Sequence, residues 1–559
     1  MRRLITTALF VIVFLFLCGL AMAQHSNLTI GETALYLADK VNDEEFSQAA
    51  NNIAFSAFIE KDPQRAWGLW GERYSAAEQK MMQGLSGEQK VVFEKYRARV
   101  RDVVNLLGLT QVLTYTKEPG KAAELAKQLP ADPVAFEQDI RALLAELLEL
   151  KNLFPGSEED VEADTAPSTP EDLANTGLAY LKTSIGVSWI QYDLGKARAF
   201  LESAAPNVMM LREKDDQLRL LYTLALFCSV VSPDTTLQCL ERANQEAAAL
   251  DEFDQEDAQE ALSVVHFGVR LMEVGAGDLF SPTGELKVTD LSALRHLTFT
   301  PVPGSEGKLA ELVQTAHQMA RSDKQSHQLC ALVTAFIVHL YGMDTEALAL
   351  VDEVTNSVDN AGESSPLEPA LVIIDHYLKP EEAGQRIRDY VSAQVRLQPT
   401  FAGNPLDDLR AYLMGLATAN DPADPLLTDE DCQFLEREIA GNIFLTGDRA
   451  AMLSLLAVMS GEARRAELTR QIDDTHTELR RERPEVAYRL TGALLTNQAP
   501  FDGRSARQYV DTLMDEMKDT DEENRLDAVF QLLDNFEQCL QGVPHRSGWE
   551  IQLGRVLGG

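Results

Sequence analysis

The sequence predicts an all-α protein, an α–α superhelix of stacked helical hairpins preceded by a smaller helical domain. Three observations carry that expectation. Apolar residues recur three and four apart, as in LSGEQKVVFEKYRARVRDVVNLLGL (85–109) and AFEQDIRALLAELLELKNLF (135–154), while strand-like alternation is almost absent. A short word recurs behind apolar runs: a turn residue, two further residues, Ala, then an apolar residue. Its copies lie at related distances, with steps of 38 from Leu309 to Ala347, 36 from Ala347 to Ala383 and 40 from Ala197 to Leu237. A period in the high thirties is the signature of stacked helix pairs, which cannot bury their apolar faces one at a time.

From the beginning of the chain, Arg2 and Arg3 form a short basic region, Leu4–Leu20 is apolar and uncharged, and Ala21-Met22-Ala23 precedes Gln24 as a small-x-small cleavage site. That order reads as a secretory signal peptide over 1–23. An uncleaved anchor is the alternative, because the apolar run is nearly long enough to span a bilayer. A lipoprotein reading through Cys18 is weakened by Leu17, where a small residue is wanted. No later run of about 18 apolar residues occurs, so the mature chain is expected not to cross a membrane again and to be periplasmic or secreted.

Residues 24–154 then read as an N-terminal helical domain. PGSEEDVEADTAPSTPEDL (155–173) is rich in acid, Pro and Ser and carries no base, so 155–168 is expected to be a disordered linker. Thr169, Pro170 and the following acids have the order of a helix start: cap, first-turn proline, dipole-complementing carboxylates. The repeat domain is expected over 169–545, interrupted at SPTGELKVTD, FTPVPGSEG, NAGESSPLEP and FAGNPLDD, with 546–559 as a short tail.

The recurring word appears as PQRAWGL at Pro63, PGKAAEL at Pro119, LGKARAF at Leu194, DTEALAL at Asp344, PEEAGQR at Pro380, SGEARRA at Ser460 and GRSARQY at Gly503. Copies at Asp234 and Glu306 put Leu237 and Leu309 in the Ala position. Each reads as helix, tight turn, helix, with a small residue where the second helix approaches the first. Between Ala383 and Ala463 a copy is missing from view.

One segment carries a family likeness. LAYLKTSIGVSWIQYDLGKARAFLESAA (178–205) offers Leu178-Ala179, Gly186-Val187, Asp193, Lys196-Ala197 and Ala204-Ala205, and resembles a Sel1-like repeat, a longer relative of the tetratricopeptide repeat. Ala179 and Ser184 replace two of the pattern's glycines, and extra residues precede Asp193. The resemblance covers one repeat. It implies an α-solenoid and a partner-binding role, with the first helix of each pair lining the concave side. Polar residues such as those of SWIQYD (188–193) are then groove candidates.

The common catalytic words are absent: G-x-S-x-G, Walker A, G-x-G-x-x-G, H-E-x-x-H, C-x-x-C. DTDEENRLDAVF (519–530) begins like a calcium loop but lacks the central Gly and the closing acid, and reads as a solvated acidic turn. The best metal candidate is His327 with Cys330 one turn later, joined by His317 and His339; the competing reading is core histidines. The best acid–base candidate is Asp375-His376 with Glu381 and Glu382, although neighbours on a helix point about 100° apart. Trp67 and Trp70, one turn apart, read as a packed face rather than a sugar platform. The five cysteines beyond the leader are too few and too odd for a disulfide framework. Each reads as a small buried residue, with pairing of Cys228 and Cys239 across a hairpin left open.

A formal charge of -37 repels phosphate backbones, so nucleic-acid binding is not expected. No cofactor, metal or catalytic residue is assigned. The expectation is a non-catalytic exported scaffold binding a protein or peptide partner in the cell envelope. An exported all-α hydrolase acting on glycans and a purely structural envelope component remain the alternatives.

Overall fold

The computed structural model describes residues 28–540 except 60, 85–86, 117, 152–169, 251, 275–305, 362–366, 397–404, 421–424, 444–445 and 519. The leader over 1–23, the linker over 155–168 and the tail over 546–559 lie outside the described residues. Among the described residues there are 23 helices and no strand, an all-α superhelix of adjacent packed pairs.

In chain order these are α1 (Leu28–Val41), α2 (Glu44–Ile59), α3 (Pro63–Gly84), α4 (Gly87–Tyr115), α5 (Pro119–Ala126) and α6 (Pro133–Lys151). After the undescribed stretch come α7 (Pro170–Trp189), α8 (Leu194–Met209), α9 (Lys214–Val231), α10 (Pro233–Ala247) and α11 (Glu252–Glu273). Then follow α12 (Glu306–Ala320), α13 (Gln325–Leu340), α14 (Asp344–Ala361), α15 (Glu368–Leu378), α16 (Pro380–Gln394), α17 (Pro405–Ala419) and α18 (Asp429–Asn442). The last are α19 (Thr446–Met459), α20 (Glu462–Glu482), α21 (Pro484–Gln498), α22 (Gly503–Glu516) and α23 (Glu522–Leu540).

The recurring word has a physical meaning in the second helix of each pair. Its Ala is the residue whose backbone N–H bonds the carbonyl of the residue just before the helix: Ala66 to Asp62, Ala122 to Glu118, Ala197 to Asp193, Ala347 to Met343, Ala383 to Lys379 and Ala506 to Asp502. All six alanines are buried, with at most 1% exposure. At this fourth helical position the Cβ faces the preceding helix just past the turn, so a small side chain lets the two axes close up.

Two copies are displaced. In α10 the position belongs to buried Thr236, bonded to the Ser232 carbonyl, whereas Leu237 is 60% exposed. The register slips by one because α10 starts at Pro233, one residue before Asp234. In α20 the position is Arg465, which donates to the carbonyls of Ala457, Val458 and Ser460 and so satisfies the end of α19; Ala463 is exposed. In the stretch where no copy is in view, α18 has buried Cys432 at this position, bonding the Thr428 carbonyl behind a capping box.

The Sel1-like segment is α7, a turn and α8. Gly186 faces Leu201 so closely that a Cβ there would lie 2.7 Å from the Leu201 Cγ. Asp193 caps α8 by accepting from the Lys196 N–H, and Ala204 and Ala205 are buried against the core. Each matching residue therefore does a packing or capping job.

Two rows of helices result. In the inner row every residue from Gln217 to Cys228 of α9, and from Gln328 to Val338 of α13, is buried. Such helices are apolar all round and belong inside. In the outer row one stripe is buried: only Leu468 and Ile472 in α20, and Ala506, Val510 and Leu513 in α22.

The rows close on themselves. The α1 helix packs on α22, and α2 packs on α23. Thr29 donates to the Pro500 carbonyl at 3.2 Å, Lys40 pairs with Asp511 at 2.8 Å, and the Phe46 ring meets Phe530 edge-on at 5.3 Å. One hydrophobic core accordingly holds residues of α1–α6, of α7 and α8, and of α21–α23, while a second runs from α7 through α21. On either side of the predicted linker, Arg141 of α6 pairs with Glu171 of α7 at 2.9 Å, and buried Lys182 reaches Glu137 at 2.5 Å. The N-terminal helices are thus docked on the repeats.

Candidate functional site

The predicted metal group is not brought together. His317 lies beside Glu353 at 3.0 Å, and His339 beside Asp344 at 2.8 Å. Cys330 is fully buried, its thiol pushed up by desolvation. Among the described residues no three His, Cys, Asp or Glu are placed to share a metal ion.

His327 instead bridges two serines: Ser263 on α11 at 2.6 Å from Nε2, and Ser322 at 3.0 Å from Nδ1. Ser263 also lies 2.7 Å from the Glu260 carbonyl, and Ser322 accepts from the Lys324 N–H at 3.2 Å. Either ring tautomer closes the bridge, the neutral ring donating to one serine and accepting from the other. Burial holds His327 below its ordinary pKa. The histidine ties α11 to α13.

The acid–base candidate divides. Asp375 is fully buried near the end of α15, whereas His376 meets the edge of the Tyr377 ring and Glu381 is exposed on α16. Glu382 pairs with Lys379 at 3.5 Å, and Lys379 with Asp352 at 2.6 Å. The partner of Asp375 is one that the spacing did not suggest. Arg386, across the Lys379–Pro380 turn, donates from Nε to Asp375 Oδ2 at 2.9 Å and from Nη1 to Glu368 Oε2 at 3.4 Å. Asp375 Oδ1 and the Tyr412 hydroxyl are both buried without a protein hydrogen-bond partner, and the Tyr412 ring stacks on Tyr390 at 4.0 Å. Burial raises the Asp375 carboxyl above the usual range, with Arg386 opposing. Only the hairpin register, one residue four before the turn and the other seven after it, pointed to this pair.

The remaining sequence candidates have structural positions. Trp70 is buried against Phe55, with Gly108 beneath it, and Trp67 lies partly buried in the same core. Of SWIQYD, Ser188 is buried and bonds the Thr110 carbonyl, Trp189 donates to the Pro130 carbonyl at 2.9 Å, and Asp193 is the α8 cap. Gln191 alone is exposed. Asp521 caps α23 by accepting from the Asn524 N–H at 3.0 Å, which is the role of the calcium-like acids that are described. Cys228 and Cys239 are both free and buried.

The outer row carries a feature that the sequence did not reveal: a belt of cation–carboxylate pairs between successive outer helices. Arg321 reaches Glu353 on α14, and Arg388 of α16 pairs with Asp431 of α18. Glu436 of α18 pairs with Arg464 of α20, and Arg480 of α20 reaches Glu516 of α22 at 3.0 Å. The belt passes through Arg507 of α22 to Glu32 of α1, and from Glu32 to Arg65 of α3. Two of these acids have almost wholly covered side chains, Asp431 and Glu516 at 6% and 4% exposure, so the pairs stitch helices together and leave the outward faces polar. No described helix is long and apolar enough to cross a membrane. No family model, curated protein or solved structure matches the chain.

Proposed function

We propose that the protein is an exported, non-catalytic scaffold of the tetratricopeptide/Sel1-like class that binds a protein partner in the cell envelope. The observation carrying this reading is the division of labour between the rows. Long stretches of the inner helices are buried on every side, whereas outer helices such as α20 and α22 bury one stripe and turn their other faces outward. A broad polar surface on a preorganised frame suits recognition of another macromolecule. The leader-like Arg2–Ala23 segment supports export, and the Leu178–Ala205 likeness supports the class. The binding surface belongs on the outer row and hairpin ends, since the inner stretches named above offer no exposed side chains.

The test is capture: the mature chain from Gln24, tagged and crosslinked in its native envelope fraction, with the crosslinked residues mapped. A saturable protein partner mapping to outer-row positions supports the proposal. Retention on glycan without any protein partner overturns it in favour of a hydrolase.

A further inference from the structure

The Asp375 cluster sets two carboxylates against one guanidinium away from water. Asp375 is 1% and Glu368 14% exposed in their side chains, and Arg386, at 18%, serves both. One oxygen of Asp375 has no protein donor. A buried carboxylate is tolerated when its charge is matched and its lone pairs are satisfied. Here neither condition is fully met, because Arg386 divides its donors between two acids.

The other charged or titratable groups around Asp375 offset the imbalance without removing it. On the α16 side, Lys379 pairs with Asp352 of α14 and with Glu382; its charge favours the Asp375 carboxylate and Glu382 opposes it, while burial still holds the carboxyl above its usual range. From α17 comes Tyr412, a neutral phenol whose ionisation is suppressed by burial, with Tyr390 of α16 stacked on it. From α13 the titratable group is His339, which lies against the Tyr377 ring and pairs with Asp344.

We propose that Asp375 is a proton-binding site that fills as the medium acidifies, before the exposed carboxylates do, and that Arg386 passes to Glu368 as it fills. The proton comes from solvent and stays on the Asp375 carboxyl; no bond other than O–H is made. The protonated carboxyl becomes a donor as well as an acceptor, so the unsatisfied oxygen gains a means of bonding. The consequence is local to a junction. Asp375 on α15 and Arg386 on α16 meet across the Lys379–Pro380 turn, so the proton alters how the two helices of this hairpin are held together.

The test uses the full mature chain and two readouts. In infrared difference spectra between neutral and mildly acidic pH, a carboxylic-acid C=O band should grow in that is absent from Asp375→Asn, apart from the bands of Asp473 and Glu537, which burial also raises and which both proteins share. In Glu368→Gln, where Arg386 is left wholly to Asp375, that band should grow in at lower pH, about tenfold in proton concentration per pKa unit moved. Unfolding by denaturant should show Asp375→Asn more stable than the wild type at neutral pH, with the gap narrowing as pH falls. The proposal is overturned if the band survives in Asp375→Asn, or if it stays in place in Glu368→Gln. The Glu368→Gln arm keeps the test decisive should Asp375→Asn fail to fold.

Discussion

Glu32 on α1 accepts from Arg507 on α22, 475 residues further along the chain, at 3.0 Å, and from Arg65 on α3 at 3.3 Å. One carboxylate thus joins the last full hairpin to the first two. Around it the closing contact has a charged rim and an apolar centre, and these two parts make different demands on stability.

Removing the centre should cost far more than removing the rim. Phe46 is fully buried and meets Phe530 edge-on, so Phe46→Ala is expected to destabilise by about 3–5 kcal/mol. Glu32→Ala should cost a small fraction of that, and the loss should fade in high salt, because these pairs face solvent. Denaturant unfolding of both variants at low and high salt checks the contrast. Equal losses, or a salt-dependent loss for Phe46→Ala, would show that the rim holds the ends together.

The depressed carboxylates predict acid sensitivity. Hydrogen bonding to Arg97 and Arg101 outweighs burial and lowers the Glu78 pKa. At Glu137 and Glu353 burial works in the other direction, but Lys182 with Arg141, and Arg321 with His317, still leave them below the ordinary value of 4.5. A folded-state pKa below the unfolded one means that the unfolded chain takes up protons first. These groups therefore contribute stability above about pH 4.5 that drains away as pH falls through the depressed values. Glu78→Gln should be less stable at neutral pH and lose less on acidification, measured as the midpoint of urea unfolding against pH. Asp375, with its raised pKa, has the opposite sign: its contribution is present in acid and lost as pH rises through the folded value.

Two glycines in neighbouring helices should answer oppositely to alanine. A Cβ on Gly108 would lie 2.2 Å from Trp70 Cε2, against a ring already fixed on Phe55, whereas one on Gly71 of α3 would meet nothing within 4 Å. Gly108→Ala should destabilise by about 1–3 kcal/mol or more through overpacking. Gly71→Ala should stabilise by up to about 1 kcal/mol through helix propensity. Thermal melts of the two variants decide it.

Thiol chemistry gives a further check. Burial pushes Cys239 up to about 12, raises Cys228 and Cys330 further, and lifts Cys539 to about 11. The native protein should resist maleimide at neutral pH, and denaturant should release all five thiols to it. Intact mass under non-reducing conditions shows whether Cys228 and Cys239 remain thiols; a mass two hydrogens short would mean a pair has formed.

How much was legible beforehand depended on distance along the chain. The hairpin word was readable because Ala at the fourth helical position is a local requirement, and Ala66, Ala197 and Ala506 meet it. Cys432 and Thr236 meet the same requirement with other small side chains, so an Ala pattern misses α18 and falls one residue out of step in α10. The bond from His327 to Ser263, 64 residues away, and the closure through Glu32 and Arg507 have no local spacing to betray them. The sequence sets Asp375 beside His376, whereas its partner is Arg386 on the far side of a turn. Helical pattern records which face is buried; it does not record which charged residue from another helix arrives there.

Closure also changes what the chain's order means. In an open stack the hairpins at either extremity have a bare flank, and the path of the backbone decides which units those are. With α1 on α22 and α2 on α23, each hairpin has a neighbour on both sides, and the order of synthesis leaves no mark on the packing. The backbone could be joined from the end of α23 to the start of α1 and reopened between α6 and α7 with the helix contacts unchanged. The topology is that of a wheel, and its starting spoke is arbitrary.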